Sequence, residues 1–285
     1  MKKLTLIAAA IFTLLATPLF GQESKLSFTP DETLTYKVTE QTELKLDIFY
    51  PNGEKKGKKR TAVVQFFGGG WNSGNPNQFY QQSARYAQEG MVAISVDYRV
   101  ISKHGTTPFE SVEDAKSAIR WVRQNAKKLG IDPNKIVASG GSAGGHVAAC
   151  TALIQEYDNP EEKLKVSSMP NALVLFNPVL DTTDKGYGAN KLVGKETLIS
   201  PTHHVRESLP PTMVMHGTAD TTVPYANAAD FTTKMREAGN ICELVTFAGV
   251  SHGFFNGSYF RAKNGDTNFN VTMDRAIEFI NRNLK

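Results

Sequence analysis

Apolar residues along the 285-residue chain cluster in short runs whose period changes as the chain advances. Positions 34–38 and 44–50 alternate apolar with polar, which predicts two antiparallel edge strands with one buried face. Positions 61–67 read T-A-V-V-Q-F-F, and positions 91–96 read M-V-A-I-S-V; predominantly apolar runs of this kind predict buried strands. Between them, positions 78–88 have helical composition and stop at Gly90. Val112, Ala115, Ile119, Val122 and Ala126 recur at helical spacing, predicting one long amphipathic helix over 109–129, ended by Gly130. Further strands are predicted over 136–139, 172–176, 212–216 and 243–247, with helices over 146–153 and 271–283. Strands alternating with helices predict an α/β fold: a mostly parallel sheet covered on both faces. No internal repeat, low-complexity tract or linker divides the chain, so one domain is expected. Positions 185–209 lack a period and predict a small insertion near the rim of any site.

The first residues change the picture at one end only. Lys2 and Lys3 precede a short apolar stretch, 4–20, and Gly21 offers a small residue before Gln22. This arrangement predicts a secretory signal peptide over 1–21 rather than a membrane anchor, because the apolar part is short for a span. Cleavage there leaves 285 − 21 = 264 residues, 22–285, for the single domain. The formal charge of +4 falls to 4 − 2 = +2 without Lys2 and Lys3, which gives no reason to invoke nucleic acid or acidic membranes as partners. The dense basic run at 55–60 reads as a solvated loop between strands. Cys150 falls on a predicted helix and Cys242 opens a late strand; export permits a disulfide between them, and two buried thiols are the other reading.

Chemistry concentrates at 135–150, K-I-V-A-S-G-G-S-A-G-G-H-V-A-A-C. A strand enters a helix through Gly140-Gly141-Ser142-Ala143-Gly144, a G-x-S-x-G sequence. Such a turn holds its serine in a strained conformation with the hydroxyl lifted clear of the sheet, and small neighbours prevent collisions there. A second match, Gly249 to Gly253 around Ser251, is followed by Phe254 and Phe255, which offer bulk where smallness is needed and no helix start. Ser142 is therefore the candidate nucleophile.

Serine needs a base, and the base needs an orienting acid. Of the six histidines, His216 ends a strand and reads as structural. His203 and His204 lie in the irregular insertion, and His146 is one turn beyond Ser142. His252 follows the last strand, at the sheet edge where catalytic groups of open α/β sheets gather. It is the expected base. Asp220 follows the 212–216 strand at the same edge and fits the chain order Ser, Asp, His. Asp181 and Asp184 are the alternative acids, one strand earlier. Gly68-Gly69-Gly70 ends a strand, where Gly69 and Gly70 can bring backbone N–H groups to a developing oxyanion, with the Ala143 amide as a further donor. Neither glycine cluster is followed by Lys-Ser/Thr or has dinucleotide-binding spacing, so no phosphate loop, cofactor or metal is called for. Trp71, just past the glycines, is a candidate substrate-binding face, with a structural role under the loop as the other reading. The polar insertion and the lack of an apolar cap predict a short acyl group, since length selectivity needs a tunnel of buried CH₂ contacts.

Phe67-Gly68-Gly69-Gly70-Trp71, Asp97-Tyr98-Arg99, the Ser142 turn, His216-Gly217-Thr218-Ala219-Asp220 and Ser251-His252-Gly253-Phe254 together resemble the α/β-hydrolase superfamily. Within it the chain is similar to secreted bacterial acetyl-esterases and hormone-sensitive-lipase-like esterases. The resemblance implies an α/β-hydrolase fold, Ser142, Asp220 and His252 as a triad, Gly69, Gly70 and Ala143 as oxyanion donors, and an acetylated carbohydrate or small ester as substrate. It departs at Phe67, where many relatives carry a histidine that helps to hold the glycine loop. The rival enzyme is a serine peptidase, which shares fold and triad but brings an accessory domain absent here. A non-catalytic secreted binding module is the rival outside catalysis, and a missing triad member would mark it.

Overall fold

The computed structural model describes residues 28–54 and 59–284. The expected signal segment 1–21 and most of the basic run lie outside the described residues. Among the described residues eight strands form one sheet: β1 Glu32–Val38, β2 Glu43–Phe49, β3 Arg60–Phe66, β4 Val92–Val96, β5 Ile131–Gly141, β6 Ala172–Phe176, β7 Thr212–Gly217 and β8 Cys242–Phe247. Their order is β1-β2-β4-β3-β5-β6-β7-β8, antiparallel through β1, β2 and β4 and parallel from β4 to β8. The alternating pattern of β1 thus belongs to an edge, while β4 and β6 are buried along their whole length. Each of Val174, Leu175 and Phe176 contributes roughly 1.5–3 kcal/mol by leaving water completely.

Among the described residues seven α-helices accompany the sheet: α1 Tyr80–Gln88, α2 Ile101–His104, α3 Pro108–Gln124, α4 Ala126–Leu129, α5 Ala143–Leu153, α6 Tyr225–Glu237 and α7 Thr267–Asn283. Thr107 caps α3: its hydroxyl accepts from the Phe109 N–H at 3.3 Å, and the Glu110 carboxylate accepts from the Thr107 N–H at 2.7 Å. The single helix expected over 109–129 is two. Asn125 (φ −97°, ψ 12°) leaves helical geometry, and its amide donates to the Trp121 carbonyl at 2.9 Å, the local competition for backbone groups that asparagine favours. Helix α5 is buried on every side, because β5 before it is central in the sheet.

All strands from β3 to β8 point the same way, so residues following β3, β5, β6, β7 and β8 meet at one carboxyl edge. The glycine run, Ser142, Asn177, Asp220 and His252 follow those five strands.

Candidate active site

The β5–α5 turn leaves no room for side chains beside Ser142. A Cβ on Gly140 would stand 2.4 Å from the Gly144 carbonyl oxygen, and one on Gly144 would stand 2.1 Å from that of Phe66. Ser142 itself has φ 58° and ψ −123°, which costs on the order of 1–3 kcal/mol and persists only when neighbours impose it. They do: its N–H donates to Phe176 O at 3.0 Å, and its carbonyl accepts from His146 N–H at 3.0 Å and Val179 N–H at 3.2 Å. The strained turn places the hydroxyl at the positive end of α5.

Ser142 Oγ lies 3.0 Å from His252 Nε2, and His252 Nδ1 lies 2.7 Å from Asp220 Oδ2. With a carboxylate facing Nδ1, that nitrogen carries the ring proton and Nε2 is free to accept one. The Asp220 carboxylate is shielded from solvent. Burial works against its charge, but hydrogen bonds from His216 and His252 and from the Val223 N–H outweigh it and hold the carboxyl well below the usual range. Asp220 Oδ1 takes the Thr222 and Val223 N–H groups at 2.9 Å each, which fixes the carboxylate plane. His216 lies 3.2 Å from Asp220 Oδ2 and 2.9 Å from Val223 O through the same Nε2, so it supports the acid from behind.

The alternative acids go elsewhere. Asp181 accepts from the N–H and hydroxyl of Thr183, at 2.8 and 2.7 Å, inside the insertion. The place after β6 that faces His252 is held by Asn177, a residue to which the sequence reading assigned no role. Asn177 is fully buried at φ 34°, accepts from the Gly253 N–H at 3.0 Å, and sets its Nδ2 3.5 Å from His252 Nε2. Its only signal in the chain is an Asn-Pro pair closing a buried strand. Ser251 is exposed and has no helix after it.

Gly68-Gly69-Gly70 arches over the hydroxyl without the customary histidine. Phe67 stacks on Tyr98 (centroids 4.1 Å apart, 16° between planes), and the Tyr98 hydroxyl donates to Phe67 O at 2.6 Å. Gln78 takes the Gly68 N–H at 2.6 Å and donates through Nε2 to Asn256 Oδ1 at 3.1 Å; Asn256 in turn donates to Gly253 O at 2.9 Å. One chain of amides therefore joins the glycine loop to the His252 loop. Lys191, from the insertion, donates to Gly70 O at 2.6 Å. The N–H groups of Gly69 and Gly70 donate to no turn or loop carbonyl among the described residues. They are available to a ligand, as is the first amide of α5 at Ala143.

Trp71 corrects an expectation. At φ 57° its backbone turns the side chain back beneath the loop, where it is fully buried and donates from Nε1 to His146 Nδ1 at 3.2 Å. It offers no face to a substrate. His146 donates from Nε2 to Ile199 O at 2.7 Å, and burial lowers its pKa to about 4. His203 and His204 bond to Ser200 Oγ and Thr197 O within the insertion. Cys150 and Cys242 are separate buried thiols, and burial pushes both pKa values up.

A cavity of about 210 Å³ opens over Ser142, walled by the three glycines, Tyr187, His252 and Arg261. A larger one, about 520 Å³, lies between α3 and the insertion around Phe109, Glu113 and Tyr157, but no nucleophile–base pair faces it. Among the described residues no helix is long and apolar enough to cross a membrane, and no His, Cys, Asp and Glu side chains group as a metal site.

The chain is 30% identical over 217 residues to an acetylxylan esterase of Xylanibacter ruminicola, a match covering 70% of this chain and 42% of that protein. It is 29% identical over 212 residues to esterase LipQ of Mycobacterium tuberculosis, covering 68% of this chain and 50% of LipQ. It thus spans about half the length of these curated relatives. Among solved structures, esterase 2 of Thermogutta terrifontis with propionate bound is 46% identical with a TM-score of 0.83, covering 90% of this chain and 95% of that one. The same enzyme phosphoramylated by tabun is 48% identical with a TM-score of 0.82, covering 88% and 94%. The fold is that of the α/β-hydrolases. The BD-FAE family model matches residues 46–235, more than half of the chain, and this protein belongs to the BD-FAE family.

Proposed function

We propose that this chain is a serine carboxylic-ester hydrolase acting on short acyl esters. The observation that carries the reading is the hydrogen-bonded series Ser142 Oγ, His252, Asp220, at 3.0 and 2.7 Å. Ser142 Oγ attacks the ester carbonyl while its proton passes to His252 Nε2. The Asp220 carboxylate holds the Nδ1–H and stabilises the imidazolium. The carbonyl oxygen becomes an oxyanion received by the N–H groups of Gly69, Gly70 and Ala143. The C–O bond to the alcohol then breaks as His252 returns the proton to the departing oxygen, leaving acyl-Ser142. Water, deprotonated by His252, releases the carboxylic acid and restores the hydroxyl.

The volume of the cavity supports a short acyl group, being smaller than the ~300–1,000 Å³ usual for drug-sized ligands. An acetyl group on a carbohydrate is the favoured substrate, a reading supported by the likeness to a protein named acetylxylan esterase. Export with removal of residues 1–21 belongs to the same reading, since a polysaccharide is met outside the cell; mass spectrometry of exported protein is expected to find an N-terminus near Gln22. The reaction is tested with p-nitrophenyl esters from acetate to palmitate and with acetate release from acetylated xylan. Fast turnover of acetate and slow turnover of palmitate is expected. The reverse order would overturn the acyl assignment, and no acetate from any acetylated glycan would overturn the carbohydrate assignment.

A further inference from the structure

We propose that Arg261 selects esters whose alcohol part carries a carboxylate, an inference that rests on the ester-hydrolase reading of Ser142 and His252. Of the residues lining the cavity over Ser142, Arg261 alone bears a fixed charge. Its guanidinium makes no ion pair among the described residues; its one side-chain hydrogen bond there is a long one, Nη1 to His252 O at 3.5 Å. The nearby carboxylate of Asp266 is spent on Ser258 and Gln81. The cation of Lys191 is likewise spent, on Gly70 O. The half-buried guanidinium is laid against Gly253, where a Cβ would come within 2.5 Å of Nη1; the glycine, at φ 80°, is what lets the arginine reach the cavity wall.

A forked cation with unused donors in a partly dry cavity is matched by a planar anion that accepts two parallel hydrogen bonds. Its place identifies which half of the ester carries that anion. His252 must hand its proton to the leaving oxygen, so the alcohol departs along the His252 side. Arg261 reaches the backbone carbonyl of that same residue, at 3.5 Å, which points to the alcohol half of the ester as the half that it meets. The substrate class is therefore an acyl ester of an acidic alcohol, of which a sugar acid is the carbohydrate form.

The test compares kcat/KM for 4-acetoxybenzoate with that for its neutral methyl ester, in the wild-type enzyme, Arg261→Gln and Arg261→Lys. In Arg261→Gln the ratio of charged to neutral substrate is expected to fall at least ~10-fold, the worth of one charge-assisted pair. Arg261→Lys should retain part of it, and added salt should weaken the wild-type preference. A merely structural arginine would move both substrates together, and an unchanged ratio overturns the proposal. So does a ratio that changes instead for 4-nitrophenyl hemisuccinate against its methyl ester, which would put the anion in the acyl part. If the wild-type enzyme turned over neither acetyl ester, the hydrolase reading itself would fail and this inference with it.

Discussion

Asp220 shows how a single carboxylate is fitted to its task. It is solvent-shielded, yet two histidines and two backbone amides keep it ionised, so it stays a pure acceptor for the His252 Nδ1–H. Asp220→Asn keeps the shape but lets the imidazole take the wrong tautomer, and kcat is expected to drop by about 10⁴-fold with the fold intact. If Asp181→Asn or Asp184→Asn were the impaired variant instead, the acid would lie one strand earlier. His146 carries the opposite electrostatics. Its Nε2–H goes to Ile199 and its Nδ1 accepts from Trp71, so only the neutral ring fits, and its pKa sits near 4 against about 6.5 in an unfolded chain. The unfolded state therefore binds the extra proton first. Stability is full above about pH 6.5 and falls as pH drops toward 4, by roughly 3 kcal/mol from this group. Urea midpoints at pH 7 and pH 5 check the sign: the drop should be smaller in His146→Gln, and an equal drop would rule His146 out as its source.

At the scale of elements, the informative parts are the connections that hold the glycine loop. The Asp97-Tyr98-Arg99 turn after β4 works through two contacts: Tyr98 holds Phe67 O, and Arg99 forks onto the fully buried Asp114 of α3, with both N···O distances 2.8 Å. Lys37 of β1 shares that carboxylate at 2.7 Å. Asp114→Asn would leave two buried cations underpaired, and a loss of about 3–5 kcal/mol in unfolding free energy is expected by denaturant titration. A loss under about 1 kcal/mol would mean that water reaches the site. Gln78→Leu should act differently. It frees the Gly68 N–H and the Asn256 amide, loosening the loop against the His252 segment, so kcat should fall while KM for a small acetate ester changes little. Little of this was legible beforehand. The strands, the Ser142 turn and the order of Ser142, Asp220 and His252 were readable because hydrophobic period and glycine crowding are local. The grip on the glycine loop runs between residues as far apart as Gln78 and Asn256, which no period marks. Which of its two roles Trp71 plays was not readable, because a positive φ outside glycine leaves no trace in composition. The break at Asn125 was missed because apolar spacing continues straight through it.

For the molecule as a whole, the decisive fact is that five parallel strands deliver their loops to one edge, so a site assembled from positions 68 to 252 needs no moving part to come together. Helix α5 and positions 136–141 of strand β5, which flank Ser142, are buried throughout, which sets the reactive turn on a rigid support. The two thiols test that packing. Both are buried and unpaired, so a thiol reagent should find neither in the native enzyme and both after unfolding in guanidinium; a persistent failure to label the unfolded chain would indicate a disulfide. The central claim is that Ser142 is the nucleophile that His252 and Asp220 activate. Its most direct test is peptide mapping by mass spectrometry after treatment with paraoxon, which should leave a diethylphosphoryl group on Ser142, about one per chain, with parallel loss of ester turnover and no adduct in Ser142→Ala. An adduct on Ser251, or full turnover by Ser142→Ala, would contradict the account.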